Sequence, residues 1–205
     1  MALNPEIVSI IRRMDTGMVE TQLALQCAPL IAGLRFASLL FLPNSGLACI
    51  RRLLERRRIR FYVLFCDQTK SCVFLYYGEA WREHRMKRDV REFLREYGYS
   101  MENDLGTLSC LRRRYAAYRV GMAGFPHEIG ALLGYPLEDV RGFIENQGRN
   151  YLYTGYWKVY RNPEAKKKVF RMYELARETF IELIGAGTEM ADIMDAYRGN
   201  LWPGM

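Results

Sequence analysis

The chain is 205 residues long, 50% hydrophobic and 26% charged, with a net charge of +7. That length suits one domain with a continuous core, and the longest apolar runs, at 37–43 and 72–77, fall short of the roughly 20 residues that a membrane-spanning helix requires. The opening Met1-Ala2-Leu3-Asn4-Pro5-Glu6 has no basic start followed by an apolar core, so the expected location is cytoplasmic, with no membrane partner.

In chain order, Ile7, Ile10, Ile11 and Met14 recur at helical spacing and predict a helix over 5–14; a second is expected over 19–27, ended or bent by Pro29. The apolar run 36–42, closed by Pro43-Asn44-Ser45-Gly46, reads as a buried strand and a turn, and a helix over 47–58 leads to a strand at 60–65. Residues 67–70 separate that strand from another at 71–77, both rich in aromatic and β-branched side chains, which predicts an antiparallel hairpin. One long amphipathic helix is expected over 80–97, stopped by Gly98, and another over 104–119. After a glycine-marked break at 121–124, two short helices at 128–133 and 137–146 are joined by Gly134-Tyr135-Pro136. Residues 151–160 alternate as a strand does, Asn162-Pro163-Glu164 opens a helix reaching 184, and a weaker helical pattern covers 189–197 before a docking or frayed end at 201–205.

These elements add up to an α+β fold: a small, largely antiparallel sheet of three to four strands packed with helices, in one domain over 1–205 with 186–205 as a peripheral tail. The five cysteines, Cys27, Cys49, Cys66, Cys72 and Cys110, are odd in number and irregularly spaced, which supports neither a disulfide framework nor a zinc ribbon; Cys66 and Cys72 flank the hairpin and read as buried thiols. The two histidines, His84 and His127, have no partner at metal-ligand spacing, so no metal is expected and no cofactor is indicated; His84 reads as a solvent-facing helix residue. The arginines between 51 and 60, Arg112 to Arg114 and Lys166 to Lys168 form basic clusters that favour an anionic partner, although apolar residues interleave with them as on a solvated helix face.

Several stretches carry a resemblance. Cys27-Ala28-Pro29-Leu30-Ile31-Ala32-Gly33-Leu34, Phe125-Pro126-His127-Glu128-Ile129-Gly130, Leu133-Gly134-Tyr135-Pro136, Asp139-Val140-Arg141-Gly142-Phe143-Ile144 and Gly155-Tyr156-Trp157-Lys158-Val159-Tyr160 together resemble a bacterial family catalogued as a domain of unknown function, number 3793, over most of the chain. The resemblance implies no activity. Arg35 departs from it, standing where lysine is expected after the Gly-Leu pair.

The candidate site is 125–160. Pro126 at the first position of a helix would place His127 and Glu128 in its first turn, where free N–H groups and the helix dipole attract an anion and keep the imidazole neutral. In an enzymatic version His127 is the base, Glu128 its partner and Cys27, beside Pro29, the nucleophile; the plainer reading makes His127 and Glu128 a local cap and Cys27 an inert core thiol. On the predicted strand Tyr156, Lys158 and Tyr160 share one face, an ammonium between two rings, and with Arg35 they form a wall for a small anionic or planar ligand or else a half-exposed sheet face. Two alternatives stand beside this. Residues 128–146 have the glycine and apolar spacing of a helix-turn-helix, but Glu138, Asp139 and Glu145 face a nucleic acid with only Arg141 to help; and the 14 tyrosines and 10 methionines also suit a protein-interaction scaffold.

Overall fold

The computed structural model describes residues 4–199, and its sheet follows from the alternation in three apolar runs. Strands β1 (Ala37–Pro43), β2 (Ile59–Cys66) and β3 (Lys70–Tyr77) are antiparallel in the order β1-β3-β2. β3 is the last in sequence but central in space, and everything between its two end residues is buried. Its side chains alternate between two cores, Val73 and Leu75 to one and Cys72, Phe74 and Tyr76 to the other, so a β-branched and aromatic run is what a strand covered on both faces requires. The β2–β3 turn is set by Asp67, whose Oδ1 accepts from the backbone N–H groups of Thr69 (2.9 Å) and Lys70 (2.8 Å). A bulge at Leu64, between the paired Val63 and Phe65, turns both Leu64 and Phe65 toward the second core.

β1 and β2 are each antiparallel to β3 and therefore parallel to one another, linked by a short 3₁₀ turn and α3 (Leu47–Leu54) in a split β–α–β arrangement. The first face of the sheet carries α1 (Pro5–Arg13), α2 (Val19–Ile31), α3, α9 (Pro163–Gly185) and α10 (Met190–Ala196) around Leu23, Leu40, Ile50, Val73 and Phe180. The region expected to be a peripheral tail is thus partly core, since Met190, Ile193 and Met194 are buried; the expectation for 201–205 lies outside the described residues. α2 does not end at Cys27 but runs through Pro29, because the next two residues are buried and the chain then closes a Schellman cap: Gly33 N–H bonds Leu30 O (3.0 Å), Leu34 N–H bonds Pro29 O (2.9 Å), and Gly33 takes φ +71°.

The second face carries α4 (Gly78–Met86), α5 (Arg88–Glu96), α6 (Asp104–Arg119) and α7 (Ile129–Leu132) around Phe74, Trp81, Phe93, Leu108 and Leu132. The single helix expected over 80–97 is two, broken at Lys87, whose ψ of 139° is extended. Trp81 and Arg85 bury one face, while Val90 comes nine residues after Trp81, half a turn out of phase at ~100° per residue. A break at Lys87 re-phases the chain so that both sets reach the core. A third, smaller cluster of Trp157, Val159, Phe170 and Tyr173 lies under a hairpin of β4 (Tyr153–Thr154) and β5 (Lys158–Val159). The strand expected over 151–160 is therefore a hairpin with its tip at 155–157; a Cβ on Gly155 would lie 2.3 Å from the Phe170 ring, so only glycine lets the tip sit this close to α9.

Candidate functional site

α7 and α8 (Leu137–Glu145) stand opposite the β4–β5 hairpin, and between them is a cavity of about 330 Å³. Leu39 of β1, Ile129, Leu133, Val140 and Phe143 give it apolar walls; Phe125, His127, Gly130, Tyr135, Asp139 and 154–158 complete the lining. His127 and Lys158, read from sequence as parts of one site, do border one concavity.

The helix pair is held by the Gly134-Tyr135-Pro136 link. Gly134 takes φ +83° and donates to Ala131 O (3.2 Å), and Tyr135 donates to Gly130 O (2.9 Å), a second Schellman cap; a Cβ on Gly134 would lie 2.5 Å from Phe36. α8 then delivers Asp139, whose only sequence reading is as an unfavourable charge in a nucleic-acid reader. Asp139 is buried and accepts three hydrogen bonds from the hairpin, from Trp157 Nε1 (2.8 Å), Tyr160 N (2.7 Å) and Arg161 N (3.2 Å). The sequence signal for it is an acid beside Val140 in the first turn of a short helix, with a tryptophan to answer it farther on. Trp157, so held, stacks on Tyr135 at 4.9 Å and meets Phe170 edge-on at 4.4 Å.

His127 lies in a turn ahead of α7 rather than inside it, and α7 is four residues long, so the expected dipole site is not formed. Its imidazole nevertheless sits below its ordinary pKa, through desolvation against Phe125 (5.2 Å) and Phe143 (4.8 Å), with the Glu128 charge opposing. Glu128 does not serve His127. It is 1% exposed and accepts from Tyr99 Oη (3.0 Å) and Arg114 Nε, which ties the His127 turn to α6. Lys158 lies over the rings of Tyr151 (4.8 Å) and Phe143 (5.6 Å) and donates to Gly148 O (2.7 Å), not between Tyr156 and Tyr160 as alternation implied, because the bend at 155–157 breaks the period. Tyr156 lines the cavity and packs on Tyr173 (5.0 Å) and Phe170 (5.7 Å), its hydroxyl raised by burial and by Glu174. Tyr160 is outside the lining; its ring covers Gly142, where a Cβ would lie 2.6 Å from it.

Arg35 stands one layer behind the cavity, 7% exposed, donating from Nη2 to Leu133 O (3.0 Å) with its guanidinium over Tyr135 (5.5 Å) and Tyr173 (5.9 Å). Cys27 is elsewhere: 0% exposed in the first core, its thiol pushed up to about 12 by burial and donating to Leu39 O (3.6 Å), it has the character of a packed side chain, not a nucleophile. The helix-turn-helix reading meets an α8 in which Glu138 is engaged with Lys166 (2.8 Å), Arg141 with Glu96 (3.3 Å) and over Phe93 (4.7 Å), and Asp139 with the hairpin, while the exposed charge at its end, Glu145, is acidic.

A larger hollow of about 630 Å³ lies beyond Tyr135 and Trp157, which border both. It contains His84, which is half-buried rather than solvent-facing: Nε2 bonds Ala131 O (2.9 Å), the ring packs on Phe36 (4.6 Å), and burial lowers its pKa. The charges around this hollow are exposed, as for Glu83, Lys87 and Asp89, or paired, as for Lys166 with Glu138. Among the described residues no helix is long and apolar enough to cross a membrane.

Comparison with curated proteins and with solved structures finds no match. The family model described as "Protein of unknown function (DUF3793)" matches residues 23–194, a span that includes the whole sheet and every residue lining the cavity, and the chain belongs to that family.

Proposed function

We propose that the protein binds a small planar or anionic ligand in the cavity between the α7–α8 pair and the β4–β5 hairpin. The observation that carries the reading is the meeting of His127 and Lys158 on one apolar, ring-lined concavity of about 330 Å³, a volume in the range of small-molecule sites. The rings of Phe143, Tyr135 and Trp157 offer faces and edges to a flat ligand. His127, exposed at the mouth and held neutral by desolvation, offers one hydrogen-bond donor and one acceptor, and in a turnover reaction it would be the group to accept a proton. Lys158 supplies the charge that orients an anionic group.

Native mass spectrometry with absorbance on freshly purified protein tests this. A retained small molecule that is lost on denaturation, and that is absent from a Gly155→Leu variant whose hairpin tip is displaced from α9, is the expected result. A mass equal to the polypeptide alone, together with no small-aromatic binding by the purified protein, rejects it.

A further inference from the structure

Buried arginines are nearly always matched by carboxylates, because an uncompensated buried charge is costly. Among the described residues Arg35 forms no ion pair with a carboxylate. Its contacts are one carbonyl, Leu133 O at 3.0 Å, and two ring faces, and its Nε is buried without an acceptor. Lys158, half-buried in the cavity lining, is likewise held by neutral groups, Gly148 O and the rings of Tyr151 and Phe143, with no carboxylate pairing among the described residues. Asp139, the acid in the lining, already answers three donors with its two oxygens. Two acids beside the lining, Glu128 and Glu174, are paired with Arg114 and Arg177, which leaves two cations steadied by neutral groups and one acid, Asp139, already committed.

We infer that the cavity takes an aromatic monocarboxylate, whose charge completes this balance, and that Arg35 is the residue that selects for it. Arg35 does not touch the ligand. It acts through the Leu133–Tyr135 wall, whose carbonyl and ring it holds, and across an apolar layer its charge is poorly screened. The inference rests on the cavity being a ligand site and adds the ligand's chemical class and its selector. Retaining an unmatched cation has a consequence for stability: replacing it with an apolar side chain of similar length should leave the fold no weaker.

The test is calorimetric titration of 2-naphthoate, 2-naphthyl phosphate and 2-naphthamide into the wild type and into the Arg35→Met, Arg35→Lys and Lys158→Met variants, with urea midpoints measured in parallel. The wild type should bind the carboxylate about tenfold or more tighter than the neutral amide, and tighter than the dianionic phosphate. Arg35→Met should lose most of the carboxylate preference at an unchanged or higher urea midpoint, Arg35→Lys should keep it, and Lys158→Met should keep a part of it. A carboxylate preference untouched in Arg35→Met, or abolished by Lys158→Met alone, overturns the role of Arg35 while the ligand site stands; the second outcome is decisive even where Arg35→Met does not fold. Tighter binding of the phosphate overturns the ligand class, and no binding of any probe by the wild type overturns the site itself.

Discussion

Asp139 takes three hydrogen bonds from the hairpin in a setting almost sealed from water, so its loss would strand Trp157 Nε1 and the N–H groups of Tyr160 and Arg161 together. Hydrogen bonds to a charged group contribute roughly 1.5–3 kcal/mol each and are not additive, so Asp139→Ala should destabilise the protein by about 3 kcal/mol and Asp139→Asn, which keeps one acceptor oxygen, by less. Urea unfolding checks this, and a loss below about 1 kcal/mol for the alanine variant would show that the hairpin does not hang on this carboxylate. The same scale shows why residue roles were only partly legible in the sequence. His127 stands out as one of two histidines and Lys158 by its place among tyrosines, and both line the cavity. The sequence pairs Glu128 with its neighbour His127, but its partners are Tyr99 and Arg114, 29 and 14 residues away, and no local pattern names which distant donor a buried acid will find. Nearness to Pro29 suggests an exposed Cys27, whereas its reactivity is set by complete burial, a property of the packed molecule.

At the scale of elements, the family motifs are in large part helix caps. Ala32-Gly33-Leu34 closes α2 and Leu133-Gly134-Tyr135 closes α7 by the same pair of backbone bonds, and α8 ends likewise, with Gln147 at φ +53° and Gly148 bonding Phe143 O at 2.8 Å. Gly134 combines a left-handed backbone with contact against Phe36, so Gly134→Ala meets both conformational strain and a clash. It should lower stability by about 2 kcal/mol or more and weaken any ligand of the cavity, since the cap sets where α8 begins; an unfolding midpoint within error of wild type would contradict the cap's importance. The hairpin of β2 and β3 was legible because two aromatic and β-branched runs flank an Asp-led turn. Two features were not. The 80–97 stretch reads as one helix because each half is amphipathic, and only the half-turn of phase between Trp81 and Val90 shows that a single rod could not bury both. The strands β4 and β5 have two residues each, below the length at which any alternation shows, so 151–160 looked like one strand.

For the molecule as a whole, a three-stranded sheet with helices on both faces leaves a third, smaller cluster beside β1, and the cavity lies where that cluster, the second core and the edge of the sheet meet. Such a seam explains why the α+β class was legible from periodicity while the cavity itself was not: Leu39, Ile129 and Trp157 belong to three separate elements, and their approach is a product of packing. The excess positive charge has two fates, most of it on exposed or paired arginines and a small part, Arg35 behind this seam and Lys158 in it, without a carboxylate partner among the described residues. The central claim is that the seam is a ligand site that uses His127 and Lys158. It is tested most directly by backbone amide chemical-shift mapping of the isotope-labelled protein titrated with 2-naphthoate. Saturable shifts concentrated at His127, Gly130, Phe143 and Gly155 to Lys158, and much reduced in Lys158→Met, are the expected result. Shifts centred on His84 and Lys87 in the larger hollow, or none that saturate, would contradict it.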